Sequence, residues 1–237
     1  MKTPKLLAIA ILSALILTGC GAAGDTQAAG FLDWFKPKAS TSAGGAATAR
    51  PAQIAAARTQ LAGIPAKGRA PKTGYTRARF GQAWADVDHN GCDTRNDILK
   101  RDMTGERFAP GTHNCVVASG TLADPYTART ITFTRGARTS SAVQIDHLVP
   151  LSDAWQKGAQ GWTTAKRTQL ANDPNNLLAV DGHSNTAKSD KDLATWLPAN
   201  RGYWCTYTAK IVAVKAQYGL WMTSAEKARA AAILKGC

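Results

Sequence analysis

Apolar positions along the chain form a short run at the N-terminus and a longer patterned region that begins near Tyr75. Six of the seven tryptophans lie in this second region, together with turn signals and apolar periodicity. Its roughly 160 residues are enough to bury one core. Between the two, residues 21 to 70 are rich in Ala, Gly, Ser, Thr and Pro. We expect a tether at 20–72, with one short helix between Pro51 and Leu61 at most, and one domain at 73–237.

The patterned region predicts both helices and strands. Two segments rich in β-branched residues, Thr130–Arg135 and Val143–Asp146, are separated by Gly136 and polar residues, which is typical of a hairpin. Helices are predicted at Thr94–Asp102, capped by Asp93 or Thr94, at Thr186–Trp196 before Pro198, and at Tyr203–Tyr218 and Ser224–Leu234. This mixture indicates an α+β fold.

The first residues have the pattern of an export signal. Lys2 and Lys5 precede an apolar run of about 13 residues, whereas a helix that spans a bilayer needs about 20. The run ends at Thr18-Gly19-Cys20, which resembles the bacterial lipobox, in which the cysteine is diacylated. We therefore expect a lipoprotein signal peptide at 1–19 and an outward-facing lipid anchor on Cys20. The alternative is an ordinary signal peptide and a secreted protein, with Cys20 incidental.

Four cysteines follow Cys20, and an even number in an exported chain favours disulfides. Three pairings are possible for Cys92, Cys115, Cys205 and Cys237. Cys92–Cys115 and Cys205–Cys237 are favoured because each closes a modest loop, worth about 3 kcal/mol on the chain-entropy estimate. A zinc site competes, but no cysteine pair has the close spacing of a zinc knuckle.

Positive charge is concentrated before the patterned region. The formal net charge is +13, and the stretch from Lys36 to Arg79 holds nine Lys and Arg and no Asp or Glu. A basic arm beside a nearly balanced domain suits a polyanion, either nucleic acid or an anionic membrane surface. A solubilising linker would have the same composition.

A candidate catalytic constellation lies in the second half of the chain. Hydrolysis of a phosphodiester needs a base with a pKa near neutrality and a hard divalent cation held by oxygen ligands. Asp146 and His147 place a carboxylate and an imidazole at the end of a predicted strand. Asn185 and Lys188 follow, three residues apart on one face of a predicted helix.

In order and spacing, these residues resemble the HNH motif of the ββα-metal nucleases. The matching segments are Asp146-His147-Leu148-Val149-Pro150, Asn175-Asn176-Leu177-Leu178 and Asn185-Thr186-Ala187-Lys188. The chain is similar to the HNH domains of RNA-guided DNA nucleases. It is closer to exported HNH proteins related to the C-terminal domain of GmrSD restriction enzymes, which have counterparts of Cys92-Asp93-Thr94-Arg95 and Trp196-Leu197-Pro198. The likeness implies a ββα-metal core elaborated by helices and disulfides.

The resemblance also implies roles for individual residues. Asp146 and Asn185 would hold one divalent metal ion, Mg²⁺ or another cation such as Mn²⁺. His147 would be the general base that activates water. Asn176 would shape the loop and orient His147. Lys188 would approach a phosphate. Because Asn185 stands where other members have His, Mg²⁺ is favoured over a softer ion.

Taken singly, these residues have ordinary alternatives as well. Asn176 could form a turn, and Asn185 could cap a helix. Arg95 either reaches a phosphate or anchors Asp93 or a helix end.

The expected activity is metal-dependent hydrolysis of DNA, with RNA as a second candidate substrate, by a monomer of low sequence specificity. One rival is a non-catalytic surface lipoprotein that only binds nucleic acid. Another is a different hydrolase, which the lack of a Gly-x-Ser-x-Gly elbow disfavours.

Overall fold

The structure is a computed structural model that describes residues 48–237. The predicted signal peptide, Cys20 and the first part of the predicted tether lie outside these residues. Within the described part of the chain, no helix is long and apolar enough to cross a membrane.

The described residues form seven helices and five strands, an α+β fold. In chain order they are α1 (Pro51–Gly63), α2 (Thr94–Asp102), β1 (Met103–Phe108), β2 (Val117–Ala123), β3 (Thr130–Thr134), β4 (Val143–His147), α3 (Leu151–Gln156), α4 (Thr164–Asn172), β5 (Leu177–Asp181), α5 (Gly182–Lys188), α6 (Trp204–Tyr218) and α7 (Ser224–Lys235). Short 3₁₀ turns occur at Arg77–Phe80, Ser140–Ala142, Ala159–Gly161 and Arg201–Tyr203.

Strands β1, β2 and β3 form an antiparallel sheet in that order. Helix α2 packs against this sheet, and Ile98 and Leu99 are buried with Phe133 in a small core. The predicted start of α2 is confirmed, since the Asp93 side chain accepts a hydrogen bond from the backbone N–H of Asn96.

Strands β4 and β5 form a separate two-stranded antiparallel ribbon. The predicted hairpin of β3 with β4 is therefore wrong, because β3 pairs with β2 and β4 pairs with β5. Val143 and Ile145 of the ribbon belong to the small core, whereas Leu178 and Val180 belong to a larger one. Both faces of the ribbon are thus covered, which explains the continuous apolar run that forms β5.

The larger core lies among the helices and includes α1, which was expected to belong to the tether. Ile54, Ala57 and Leu61 on α1 are buried, and α1 packs against α6 and α7. The folded unit therefore includes α1, and the expected boundary at residue 73 is too late. The helix is alanine-rich, but its few large apolar side chains share one face.

The helices after β5 follow the prediction in part. Helices α6 and α7 are confirmed, and the side chain of Thr223 accepts a hydrogen bond from the backbone of Glu226 at the start of α7. The predicted helix Thr186–Trp196 is wrong in its bounds, because α5 begins at Gly182 and ends at Lys188. Ser189 then has a positive φ of 51°, which breaks the helix.

Two disulfides tie the fold, Cys92–Cys115 and Cys205–Cys237, the pairing that the sequence favours. The first joins the loop before α2 to the loop before β2. The second joins the first turn of α6 to the second residue after α7.

Candidate active site

Strand β4 carries three polar side chains of the site: Gln144, Asp146 and His147. Residues two apart on a strand point to the same side, so Gln144 and Asp146 share one face while Val143 and Ile145 point into the small core. His147 is the last residue of β4. Asp146 and His147 both line an open cleft of about 380 Å³ beside the ribbon.

The Asp146 carboxylate is almost fully buried and is held at both oxygens. Lys188 Nζ donates to Oδ1 at 2.9 Å, and the hydroxyl of Tyr126 donates to Oδ2 at 2.5 Å. Burial raises the pKa of Asp146, whereas the positive charge of Lys188 and the hydrogen bond from Tyr126 act to lower it. A further positive charge in the cleft would therefore stabilise the ionised carboxylate.

The imidazole of His147 is buried and fixed in one orientation. Its Nε2 lies 2.8 Å from the carbonyl oxygen of Ala171 in α4. Burial lowers the pKa of His147 to about 3; the hydrogen bond to Ala171 acts to raise it, and the charges of Arg77 and Lys188 act to lower it. The ring is therefore neutral at neutral pH, and its pKa lies below the near-neutral value expected from the sequence for a general base. Because a carbonyl oxygen can only accept, Nε2 carries the proton and Nδ1 carries the free lone pair.

Trp84 covers the ring of His147. The two rings stack with centroids 6.0 Å apart and an interplanar angle of 20°. Trp84 has a φ of 58°, in a region that bulky residues rarely occupy. The backbone N–H of Thr94 donates to the carbonyl of Trp84 at 3.3 Å, and the indole packs against the small core, so Trp84 is held in this conformation.

Asn176 acts on the chain next to His147 rather than on the ring. It is fully buried, its Oδ1 accepts from the backbone N–H of Val149 at 2.8 Å, and its backbone carbonyl accepts from Leu148 at 2.8 Å. Its amide nitrogen donates to the carbonyl of Leu170 at 3.3 Å. Asn176 thereby fixes the turn that follows β4, and the ring of His147 is oriented by Ala171 instead.

Asn185 enters the cleft from α5, and Gln144 orients it. Its Nδ2 donates to Gln144 Oε1 at 2.9 Å, which leaves its amide oxygen without a hydrogen bond among the described residues. Gly182 allows α5 to begin this close to the ribbon, because a Cβ at this position would lie 1.9 Å from the carbonyl oxygen of Ser141.

Lys188 does not extend into the cleft as expected. Its side chain is fully buried, and its Nζ donates to Asp146 Oδ1 at 2.9 Å and to the carbonyl oxygen of His147 at 2.7 Å. The expected contact of Lys188 with a phosphate is not supported by this arrangement. The side chain instead neutralises Asp146 from the protein side and holds the end of β4.

The cations of the cleft come from the segment before the ribbon. Lys72, Tyr75 and Arg77 line the cleft together with Asp146, His147 and Asn185. Arg95 is absent from its lining. The Arg95 side chain is half-buried on α2, its Nη1 has no hydrogen-bond partner among the described residues, and burial followed by the charge of Arg135 lowers its pKa.

The residues present fit a hard divalent cation. Asp146 and Asn185 bring one carboxylate and one free amide oxygen to the same cleft, and each carboxylate oxygen keeps a lone pair beyond its one hydrogen bond. Mg²⁺ is commonly held by one or two such ligands, with water and phosphate completing its shell. Within residues 48–237 there is no group of three or more His, Cys, Asp or Glu that could hold a metal ion, so Asp146 and Asn185 would be the protein's ligands and water and phosphate the others.

Several residues of the site, including Tyr75 and Trp84 described above, were not predicted from the sequence. Tyr126 binds Asp146, Gln144 binds Asn185, and Lys72 and Arg77 belong to the basic stretch Lys36–Arg79, which was interpreted only as a source of positive charge. Gln144 had a usable signal, because it lies two residues before Asp146 on the same strand. Tyr126 had none, since it lies in the turn between β2 and β3.

The fold and site define an α+β protein in which an antiparallel ribbon and the following helix present a buried aspartate, a neutral histidine and an asparagine to one cleft. Residues 93–233 match the family described as GmrSD restriction endonucleases, C-terminal domain. The chain belongs to this family. It is also 38% identical over 183 residues to an "Uncharacterized secreted protein" of Arthroderma benhamiae, a match that covers 76% of this chain and 84% of that protein. No solved structure matches the chain.

Proposed function

We propose that this chain is an exported, metal-dependent endonuclease of the HNH type that hydrolyses phosphodiester bonds of DNA with low sequence specificity. Endonuclease activity is implied at the level of the family. The observation that carries the finer proposal is the neutral His147, whose Nε2 proton is fixed by Ala171 beside Asp146 in an open cleft.

In this proposal His147 is the general base. Its Nδ1 lone pair accepts a proton from a water molecule, and the ring keeps its orientation during the transfer because Ala171 holds Nε2 at 2.8 Å. The Trp84 indole stacks against one side of the ring. Asn176 keeps the turn after His147 fixed, so the base stays in place relative to the cleft.

Asp146 and Asn185 would hold the divalent cation, Mg²⁺ or Mn²⁺. When bound, the cation offsets the negative charge of the phosphate and the leaving oxygen. Lys188 and Tyr126 limit the rotation of the Asp146 carboxylate, and Gln144 sets which atom of Asn185 faces the cleft. The order β4, β5, α5 is the one that a ββα-metal core requires, which supports the proposal.

The role of His147 is tested by plasmid nicking with the mature protein and Mg²⁺. His147→Asn should lower the rate about 10²- to 10⁴-fold, the usual contribution of a general base. His183→Ala is a matched control, because this exposed histidine lies on the same ribbon-and-helix unit but outside the cleft lining. A chelator should stop cleavage by the unsubstituted protein.

The assigned roles also predict different responses to metal. Asn185→Ala should recover part of its rate at raised Mg²⁺, because a weakened ligand set is filled by mass action, whereas His147→Asn should not recover. Equal recovery of both variants would contradict the roles. DNA retarded in a gel without cleavage, and indifferent to His147→Asn, would instead identify a non-catalytic nucleic-acid-binding protein.

We also propose export with a lipid anchor at Cys20. Export is supported by the apolar N-terminal run and by the name of the relative from Arthroderma benhamiae. A lipid anchor predicts that the mature protein partitions into detergent and that Cys20→Ser abolishes this partition. Release of the unsubstituted protein into the medium, with no detergent partition, would favour an ordinary signal peptide.

A further inference from the structure

The cleft lacks the phosphate-binding cation that was expected from α5, because Lys188 is fully buried and bound to Asp146 and His147. We propose that Arg77 binds a backbone phosphate of the nucleic acid next to Asp146 and His147. This inference rests on the proposed nuclease function and identifies the group that holds its substrate.

Arg77 is the cation best placed for this contact. Its side chain is exposed, lines the cleft with Asp146 and His147, and forms no ion pair with any carboxylate in residues 48–237. Its guanidinium carbon lies 6.0 Å from the centre of the Trp84 ring. Trp84 in turn stacks on His147, so the guanidinium is held beside the base through one intervening ring.

Lys72, the second cation of the cleft, is already engaged. Its Nζ lies 2.9 Å from Asp190 Oδ2, and Asp190 also accepts a hydrogen bond from Ser152 at 3.0 Å. A phosphate would have to compete with this carboxylate for Lys72, whereas Arg77 has no carboxylate within ion-pair distance among the described residues. Lys72 therefore adds to the positive field of the cleft, and Arg77 makes the contact.

The segment that carries Arg77 is anchored on both sides of it. The indole N–H of Trp155 donates to the carbonyl of Thr73 at 3.3 Å, and Arg167 Nε donates to the carbonyl of Arg79 at 2.7 Å. Phe80, three residues after Arg77, is buried in the larger core. A cation on a fixed segment loses less conformational entropy on binding than one on a free tether.

The chemistry of the guanidinium suits a phosphate diester. Its planar set of N–H donors matches two oxygens of one phosphate. Contacts of this kind position a nucleic acid but do not distinguish bases, which agrees with the low sequence specificity proposed above.

The test compares Arg77→Ala with Arg79→Ala. Both substitutions remove one positive charge from an exposed side chain, but Arg79 lies outside the cleft lining. Affinity for a labelled 20-base-pair duplex is measured by fluorescence anisotropy, in chelator to prevent cleavage, at several salt concentrations. Arg77→Ala should weaken binding roughly tenfold and lower the slope of log affinity against log salt by about 1. Arg79→Ala should leave this slope nearly unchanged, and Arg77→Lys should recover part of the affinity.

Equal losses in Arg77→Ala and Arg79→Ala would overturn the inference, since Arg77 would then contribute only to net charge. Cleavage by the unsubstituted protein is measured separately with Mg²⁺. If the unsubstituted protein cleaves DNA and the two substitutions weaken binding equally, the Arg77 contact is refuted and the nuclease proposal stands. A selective loss of binding in Arg77→Ala with no cleavage at all supports the contact and refutes the nuclease. Thermal melting checks that both variants remain folded.

Discussion

At the scale of single residues, the site is built around an ion pair that is removed from solvent. Asp146 and Lys188 are both buried, and their charges lie 2.9 Å apart. Burial of either charge alone is costly, so each depends on the other. The pair fixes the carboxylate that is proposed to hold the cation, and it gives Lys188 a positioning role in that proposal instead of the expected contact with a phosphate.

Lys188→Met tests this dependence. The substitution leaves the Asp146 carboxylate buried without its cation, which should lower the free energy of unfolding by about 3 kcal/mol at pH 7. In the double variant Asp146→Asn/Lys188→Met, the unpaired charge is gone and part of the loss should return. Urea denaturation measures all three proteins.

Lys191→Met is the matched control, because Lys191 is exposed and bonds only to the carbonyl of Ala187. Its free energy of unfolding should change by less than about 0.5 kcal/mol. If Lys188→Met cost no more than this control, Lys188 would not stabilise Asp146 as described.

The residues that the sequence predicted and those it missed differ in a physical way. Asp146, His147 and Asn185 form a local pattern with fixed spacing, and the structure brings all three to one cleft. Lys72 and Arg77 reach the cleft through the fold alone, from a segment about seventy residues earlier in the chain. Composition describes such a segment as a basic linker, because only packing against the domain gives its charges a direction.

At the scale of elements, the sequence predicted strands and helices better than it predicted their partners. The β-branched segments at β3 and β4 are strands, but each pairs with a different neighbour. Alternation along a strand says which side chains share a face and does not name the strand opposite. Helix α5 is shorter than predicted for a comparable reason, since the turn at Ser189 is a backbone conformation that helix propensity does not reveal.

Gly182→Ala tests how closely α5 must approach the ribbon. The added Cβ would lie 1.9 Å from the carbonyl oxygen of Ser141, and this backbone atom cannot move aside as a flexible side chain could. We expect α5 to shift outward, with a loss of about 1–3 kcal/mol in the free energy of unfolding and a large fall in nuclease rate. The rate falls because Asn185 loses its bond to Gln144.

Gly161→Ala serves as the control for this substitution, because a Cβ there would meet nothing within 4 Å. Its stability and rate should stay near those of the unsubstituted protein. An unchanged melting temperature and nicking rate for Gly182→Ala would mean that the close approach of α5 to the ribbon is not required for stability or activity.

At the scale of the whole molecule, buried charges connect the segments that surround the site. Lys157 Nζ lies within 2.7 Å of carboxylate oxygens of Asp153, Asp192 and Glu226. Lys215 on α6 binds the same Asp153 and Glu226. The network thereby joins α3, which follows β4, to α6, to α7 and to the segment after α5.

Arg69 extends this network to the N-terminal segment that carries Arg77. Its Nη2 lies 3.0 Å from Asp153 and 2.8 Å from Asp192. The expected boundary at residue 73 would cut this link as well as remove α1 from its place against α6 and α7. Composition could not reveal the ion pairs of Arg69, because nothing in a basic stretch indicates which arginine has a buried acidic partner.

The network predicts a specific loss of stability in acid through Asp192. Burial acts to raise the pKa of this carboxyl, but the hydrogen bond and charge of Lys157, with the charges of Arg69 and Lys215, lower it from the ordinary 3.8 to about 2. Ionised Asp192 therefore stabilises the fold above pH 4, and this contribution disappears as the pH falls through 2. The difference in unfolding free energy between the unsubstituted protein and Asp192→Asn should shrink by about 2 kcal/mol between pH 5 and pH 2. Urea denaturation at each pH measures it, and a difference that stays constant would mean that ionisation of Asp192 does not hold these segments together.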